Sequence, residues 1–202
     1  MISILDYGIG NLASVSNALT FLGLRNELVS SPAQVKTCGH LVLPGVGAFA
    51  SAMDALREAG LVDSLHEHAT TSQRPLLGIC LGMQLLMDEG REAGAHPGLA
   101  FIRGIVEPLP AGTGLVVPHV GWNDVRPVRE SRLREDPEGI DSFYFVHSYF
   151  CDVADPTHVT GMTEYGAEFP SMIERDNVFG CQFHPEKSQR HGLSILSRFS
   201  KT

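Results

Sequence analysis

Short apolar segments of strand length alternate with longer segments of helical periodicity through the first half of the chain. The strand candidates are residues 2–5, 27–30, 41–43 and 75–79. Strands separated by helices of ten or more residues pair in parallel through right-handed crossovers, so this alternation predicts an α/β fold built on a parallel sheet. In such sheets, functional groups gather at the carboxyl ends of the strands.

The helical segments are marked by apolar spacing and by residues suited to their ends. Asn11 is positioned to cap a helix over residues 12–22, and Gly23 to end it. Further helices are predicted over residues 48–69, with an interruption near Gly60, and over residues 81–89.

The second half of the chain is richer in strands. The candidates are residues 105–106, 115–117, 143–150, 159–163, 172–173 and 178–183, and a terminal helix is predicted over residues 192–199. Residues 129–138 are highly charged and predict a solvated loop or a short exposed helix. We find neither an internal repeat nor a linker, and expect one domain over residues 1–202.

Charge and composition argue against several classes of protein. Twenty-three acidic residues against fifteen Lys and Arg give a formal net charge of −8, and such a surface repels the phosphate backbone of nucleic acids. No apolar run approaches the ~20 residues that a membrane-spanning helix needs, and the first residues lack the basic start of a signal peptide. We therefore expect neither nucleic acid nor membrane as a partner.

The four cysteines, Cys38, Cys80, Cys151 and Cys181, are widely scattered. They form neither a CxxC metal pattern nor a dense disulfide framework. This distribution predicts a cytoplasmic protein with free thiols, and we expect neither a metal nor a cofactor.

Cys80 lies in the segment GICLGMQ, between a predicted strand and a predicted helix. Glycines two positions before and after a nucleophile are typical of a nucleophile elbow, a strained turn in which larger side chains would clash. The following helix directs its dipole and free N–H groups towards the sulfur, which favours the thiolate. A buried structural cysteine is the alternative, and it is our interpretation of the other three.

His184 is the best-placed base among nine histidines. It follows an apolar strand that Pro185 ends, and Glu186 can accept its second ring N–H. A surface histidine beside an acid is the simpler explanation of this segment alone. Together with the elbow, however, Cys80, His184 and Glu186 form a coherent catalytic triad.

A cysteine nucleophile of this kind also needs N–H donors for a developing oxyanion. The N–H of Leu81 is one candidate. The turn PGVG, residues 44–47, follows a neighbouring strand and can supply a second donor from Val46 or Gly47. A tight turn without further function is the alternative.

Five segments, PGVGAF, GICLGMQLL, PHVGWN, FYFVHSY and GCQFHPEKS, resemble in order and spacing those of class I glutamine amidotransferases. The similarity extends from the initial DYGIGN to the last predicted helix, and the elbow and HPE together are specific for the class. Many members of the class have PGG where this chain has PGVG. The segment PGVG, together with DYGIGN and GWN, resembles one branch of the class. That branch contains the glutaminase subunits of imidazole glycerol phosphate synthase, which act in histidine biosynthesis.

The resemblance implies a flavodoxin-like, mostly parallel sheet flanked by helices. It also implies hydrolysis of glutamine to glutamate and ammonia through a γ-glutamyl thioester on Cys80. His184 would act as general base and acid, oriented by Glu186. The residues implied at the glutamine pocket are Gly47 of the oxyanion strand, Leu81, Gln84, Ser148 and Tyr149.

The resemblance further implies a heterodimer with a (β/α)8-barrel cyclase, which uses the ammonia to make imidazole glycerol phosphate and an aminoimidazole carboxamide ribonucleotide. Trp122, Asn11 and Lys187 would face this partner. The alternatives are a core aromatic, a helix cap and a solvated lysine, respectively. Because glycines flank Val46, we hypothesise that rotation of a peptide at Val46 or Gly47 forms the oxyanion hole only when the partner is loaded.

Three other functions are consistent with parts of the pattern. The chain would then be the glutaminase subunit of another synthase, such as anthranilate synthase, an independent γ-glutamyl hydrolase, or a non-catalytic regulatory subunit. The PGVG and DYGIGN segments argue against the first alternative, and the intact triad argues against the third.

Overall fold

The structure is a computed structural model that describes residues 1–110, 114–134 and 138–202. Its helices are α1 (Leu12–Phe21), α2 (Pro32–Thr37), α3 (Phe49–Glu58), α4 (Val62–His66), α5 (Leu81–Leu85) and α6 (Gln189–Phe199), and a π-helical turn (Glu67–Thr71) extends α4. Its strands are β1 (Ile2–Leu5), β2 (Asn26–Val29), β3 (His40–Gly45), β4 (Leu76–Cys80), β5 (Glu89–Gly90), β6 (His96–Pro97), β7 (Gly104–Pro108), β8 (His119–Pro127), β9 (Asp141–His147), β10 (Tyr149–Val153), β11 (Val159–Glu164), β12 (Glu168–Arg175) and β13 (Val178–Cys181).

A nine-stranded sheet has the order β2-β1-β3-β4-β13-β12-β11-β8-β9. The pairs from β2 to β13 are parallel, which confirms the predicted α/β fold, and the pairs from β13 to β9 are antiparallel. A smaller sheet has the order β10-β7-β5-β6. Within the described residues, no helix is long and apolar enough to cross a membrane.

The parallel strands are apolar on both faces because each face is covered. In β3, Leu41 and Leu43 belong to one buried apolar cluster, whereas Val42, between them, belongs to the other. All five residues of β4 are buried. The continuous apolar runs in the sequence therefore follow from burial on two sides.

Most predicted elements of the first half are confirmed, including the Asn11 cap, whose side-chain oxygen accepts a hydrogen bond from the Ser14 N–H at 3.3 Å. The helix after Cys80 is shorter than predicted and ends at Leu85. The carbonyl groups of Leu85 and Leu86 accept hydrogen bonds from Leu99 and Phe101, respectively. This turn replaces further helical bonds, so the chain leaves the helix and enters β5.

Several predictions in the second half are wrong. The strand predicted over residues 143–150 is two strands, β9 and β10, which lie in different sheets and are separated at Ser148. The strand predicted over residues 115–117 is absent from the described structure, and the unpredicted β8 begins at His119. Long-range pairing decides both outcomes, since β8 is held by β9 and β11.

The charged segment over residues 129–138 also differs from the expected solvated loop. Its residues 135–137 lie outside the described part of the chain. Within the described part, the nearly buried Glu174 carboxylate accepts hydrogen bonds from the Ser131 hydroxyl and from the backbone and side chain of Arg132. Leu133 and Arg134 are buried. Hydrogen bonds to Glu174 therefore hold this charged segment against the folded chain.

The glycines on both sides of Cys80 are required by close packing. An added Cβ at Gly78 would lie 2.6 Å from the Gly82 carbonyl oxygen, and one at Gly82 would lie 1.8 Å from the Leu43 carbonyl oxygen. Helix α5 therefore approaches β3 and β4 more closely than any side chain permits. This approach holds Cys80 at φ 54°, in the left-handed region that residues other than glycine rarely adopt.

We predict that Gly82→Ala destabilises the chain by about 1 to 3 kcal/mol, because α5 must move away from the Leu43 carbonyl. Urea unfolding measures the effect. Gly39→Ala is the matched control, since no heavy atom lies within 4 Å of an added Cβ there, and its effect should stay within about 0.5 kcal/mol. Equal stabilities of the two variants would contradict this account of the turn.

Candidate active site

Cys80 lies at the carboxyl end of β4 and directly precedes α5. Its sulfur lies 3.7 Å from the Val146 carbonyl oxygen and 3.8 Å from the Gln182 side-chain nitrogen. The side chain is almost wholly buried. The predicted elbow is thus present, with the nucleophile in a strained backbone conformation at a helix N-terminus.

His184 reaches Cys80 because β13 pairs in parallel with β4, with Cys181 opposite Ile79. The His184 N–H donates to the Tyr144 carbonyl at 2.9 Å, and the Ser188 hydroxyl donates to the His184 carbonyl at 2.6 Å. These bonds fix the backbone where the strand ends. The imidazole is therefore brought to the elbow by segments that are distant from it in the chain.

Glu186 accepts a hydrogen bond from the His184 ring, with 2.8 Å between Nδ1 and the carboxylate oxygen. The side chains of His184 and Glu186 are 4% and 1% exposed. Burial alone would lower the pKa of His184, but its hydrogen bonds to Cys80 and Glu186 outweigh burial and raise the pKa to about 9. His184 is therefore protonated near neutral pH.

A pocket of about 330 Å³ opens at Cys80 and His184. The structure brings all five residues predicted at the glutamine pocket to its wall: Gly47, Leu81, Gln84, Ser148 and Tyr149. Gly47 has a φ of 94°, which glycine adopts without a steric penalty. Among the described residues, no group of His, Cys, Asp and Glu side chains is arranged to hold a metal ion.

Gln84 is buried at the base of this wall. Its side-chain amide nitrogen donates to the Tyr149 carbonyl at 2.9 Å and to the Gln182 side-chain oxygen at 3.1 Å. Gln84 therefore links the strand that carries Tyr149 to the strand end that carries His184. Gln182 is not among the residues that the sequence predicts at the site.

Two buried histidines, also not predicted, support the same wall. His147 lines the pocket, and its Nδ1 lies 2.9 Å from the Tyr149 carbonyl oxygen, which can only accept. Its Nε2 lies 2.9 Å from Nδ1 of His119, whose Nε2 is 3.2 Å from the Asn123 amide nitrogen. Each ring thus donates through Nδ1 and accepts through Nε2, which is the neutral form. Burial accordingly lowers the pKa of each histidine to about 4.

The predicted partner-facing residues lie at different places. Trp122 is 49% exposed on β8, so the alternative of an ordinary core aromatic is wrong. Lys187 lines the pocket itself, with its ammonium 6.0 Å from the Tyr144 ring centre. Asn11 caps α1 and is not among the residues that line the pocket.

Glu92 is a further pocket residue that the sequence analysis missed. Its carboxylate accepts a hydrogen bond of 2.8 Å from the Phe49 N–H, at the first residue of α3. Glu92 lies in an irregular segment and belongs to no recognisable motif, so only the folded chain brings it to the site. Pro118 and Val146 complete this part of the lining.

Comparisons with known proteins agree with this geometry. The family model "Glutamine amidotransferase class-I" matches residues 3–201. The curated relatives include proteins named "Imidazole glycerol phosphate synthase subunit HisH" from three bacteria. The one from Desulfitobacterium hafniense is 47% identical over 201 residues, covering 100% of this chain and 94% of the relative. That from Moorella thermoacetica is 48% identical over 99% and 94% of the two chains, and that from Leptospira interrogans is 40% identical over 99% of each.

Solved structures with low sequence identity share the fold. One described as "Crystal structure of glutamine amidotransferase" has a TM-score of 0.77 at 20% identity and covers 98% of each chain. Another, "Structure of PurLQS from Thermotoga maritima", has a TM-score of 0.79 at 14% identity, with 99% and 97% covered.

The two neutral histidines predict a loss of stability in acid. Their folded pKa values of about 4 lie below the ordinary value of 6.5, so the unfolded chain binds protons first as the pH falls between these values. Their contribution to the free energy of unfolding is complete above pH 6.5 and is lost as the pH falls towards 4. His119→Gln removes one of the two groups.

Urea unfolding at pH 7 and pH 5 measures this contribution. We expect the unfolding midpoint of the parent chain to fall more between the two values than that of the His119→Gln variant. An equal fall in both chains would show that His119 is not a source of the acid sensitivity.

Proposed function

Because the chain belongs to the class I glutamine amidotransferase family, we propose that it is the glutaminase subunit of an imidazole glycerol phosphate synthase. It hydrolyses glutamine to glutamate and ammonia and supplies the ammonia to a partner subunit in histidine biosynthesis. The observation that carries the proposal is the convergence of Cys80 and His184 at one pocket, with Glu186 hydrogen-bonded to His184, since this set supports acyl transfer through a thioester. Residues 1–202 act as one domain.

In the first half of the reaction, the Cys80 thiolate attacks the side-chain carboxamide carbon of glutamine. The Leu81 N–H and an N–H of Val46 or Gly47 hold the resulting oxyanion, and one such donor is worth about 3 to 4 kcal/mol in the transition state. His184 gives its proton to the leaving nitrogen. The C–N bond breaks, ammonia departs and a γ-glutamyl thioester remains on Cys80.

In the second half, His184 takes a proton from water, whose oxygen attacks the thioester carbon. The C–S bond breaks, glutamate leaves and Cys80 is again a thiolate beside a protonated His184. Glu186 accepts the hydrogen bond from Nδ1 throughout and keeps Nε2 of the ring directed at the reacting atoms. The balance is glutamine plus water to glutamate plus ammonia.

The pocket offers a group for the α-ammonium of glutamine. Glu92 is the acidic side chain in the described lining, and its carboxylate already accepts one N–H at α3. A partly buried carboxylate attracts an ammonium group and repels a carboxylate. Gln84, Ser148 and Tyr149 form the rest of the polar wall, and Gly47 leaves room for the substrate.

The partner is a (β/α)8-barrel cyclase, which forms a heterodimer with this chain. Ammonia released into neutral water becomes ammonium, which is not a nucleophile, so direct transfer favours an adjoining acceptor site. Val120, Trp122 and Val146 are exposed apolar residues on the paired strands β8 and β9. Val120 lies opposite Val146 in the register, and Val146 also lines the pocket. An exposed apolar patch beside a pocket fits a subunit interface.

The remaining features fit a cytoplasmic heterodimer. Trp122, Lys187 and Asn11 contact the cyclase, and neither nucleic acid nor membrane takes part. The four cysteines are free and buried, as expected in a reducing compartment.

We predict that glutamine hydrolysis by the chain rises strongly when the barrel cyclase and its nucleotide substrate are added. Cys80→Ala should abolish the activity, and Glu186→Gln should lower kcat by about 10⁴-fold, because the ring loses its orienting carboxylate. Ammonia or glutamate release measures both. Equal turnover by the chain alone would indicate an independent γ-glutamyl hydrolase, and activation by a different synthase would identify that synthase as the partner.

We also predict that Glu92→Gln raises the KM for glutamine by about tenfold or more with little change in kcat, because a bond to a charged group is replaced by a neutral one. The variant keeps an oxygen to accept from the Phe49 N–H. Steady-state kinetics with the loaded complex measure the effect. A fall in kcat at unchanged KM would argue against this role.

A further inference from the structure

Gln182 is wholly buried, and its side chain lies between Gln84 and the sulfur of Cys80. It follows β13 directly, and its N–H donates to the Ser171 carbonyl at 2.9 Å, so its backbone is fixed. We propose that Gln182 is a further catalytic residue, whose side-chain N–H donates to the Cys80 sulfur and stabilises the thiolate. This extends the proposed function to a residue outside the triad.

The direction of the amide follows from its neighbours, because oxygen and nitrogen of a carboxamide have similar shapes. The Tyr149 carbonyl can only accept, so the Gln84 atom that lies 2.9 Å from it is the nitrogen. That nitrogen has a second N–H, which is directed at Gln182 over 3.1 Å. The atom of Gln182 at this position must therefore be the oxygen.

Once its oxygen faces Gln84, the nitrogen of Gln182 faces Cys80, 3.8 Å from the sulfur. This distance is within the range of an N–H to sulfur hydrogen bond. Since Gln182 is 0% exposed, solvent does not compete for the amide. The Tyr149 carbonyl is the acceptor at one end of this series of hydrogen bonds. It thus determines that Gln182 presents a donor to Cys80 at the other end.

A donor at the sulfur matters because the thiolate is a stronger acceptor than the thiol. Hydrogen bonds to ionised groups are shorter and roughly twice as strong as neutral ones. His184 supplies a cation to the same sulfur, and Gln182 supplies a neutral donor. The two groups therefore stabilise the thiolate together, before it attacks glutamine and again when it leaves the thioester.

The test is the rate at which iodoacetamide alkylates Cys80 in the full chain, followed by mass spectrometry of the Cys80 peptide from pH 5 to pH 9. Gln182→Met keeps the length of the side chain and removes its donor. We expect alkylation at pH 7 to be about tenfold slower or more, with the pH profile moved to higher pH. Gln182→Glu keeps an acceptor for Gln84 and places an anion beside the sulfur, so its rate should also fall.

Asn177→Leu is the matched control, because Asn177 is a carboxamide at the opposite end of β13. Its nitrogen donates to the Ala69 and Arg74 carbonyls at 2.8 and 2.7 Å. This variant loses a double donor outside the site, and its alkylation rate should equal that of the parent chain. A rate that falls equally in Asn177→Leu would assign the effect to general loosening and overturn the proposal.

Parent-like alkylation in folded Gln182→Met and Gln182→Glu would also overturn it. Alkylation needs no glutamine, so the test is separate from the proposed function. A chain that fails to hydrolyse glutamine with its partner, yet shows the expected loss of alkylation in both variants, would refute the glutaminase assignment and leave the role of Gln182 intact.

Discussion

The parallel pairing of β4 with β13 is the constraint on which the site depends. These strands are about a hundred residues apart in the chain, and their register sets Ile79 opposite Cys181. Cys80 is the last residue of the first strand and His184 follows the second, so their relative position is fixed by backbone hydrogen bonds. The close approach of Gly82 to the Leu43 carbonyl then fixes α5 against the same strand ends. Groups placed on strands and helices are held more precisely than groups placed on loops.

Burial acts on the histidines of the site in opposite ways, and the difference lies in their partners. His184 is buried beside a carboxylate and a thiol, and these partners raise its pKa to about 9. His119 and His147 are buried beside each other and beside neutral amide and carbonyl groups, so the loss of hydration lowers their pKa values to about 4. His184 is thus protonated near neutral pH, whereas the other two rings are neutral links.

The sequence predicted the parts of the site that are local. Cys80, its flanking glycines and the strand before it form one pattern, and His184 with Glu186 form another. Glu92 and the β8 strand were not predictable in this way, because each is held by contacts with distant segments. Gln182 was predictable in principle but was not predicted. Residues two apart on an extended segment point the same way, so a polar residue two positions before His184 is placed to lie near Cys80. The eight residues assigned to one strand were divided by Ser148, and no local signal marks that division.

The hydrogen bonds also indicate where a partner acts on this site. A continuous series of hydrogen bonds runs from Asn123, next to the exposed Trp122, through His119 and His147 to the Tyr149 carbonyl. Gln84 donates to the same carbonyl. Such a series is not by itself a switch, because coupling between sites needs an element with two arrangements. Each donor in this series has its direction fixed by its acceptor, so the series has one arrangement. The turn at Val46 and Gly47 is different, since Val46 is exposed and Gly47 has a φ of 94° with no heavy atom within 4 Å of an added Cβ. We therefore expect a partner to act on this turn, whose N–H groups we propose as oxyanion donors, while the buried hydrogen bonds keep the pocket wall unchanged.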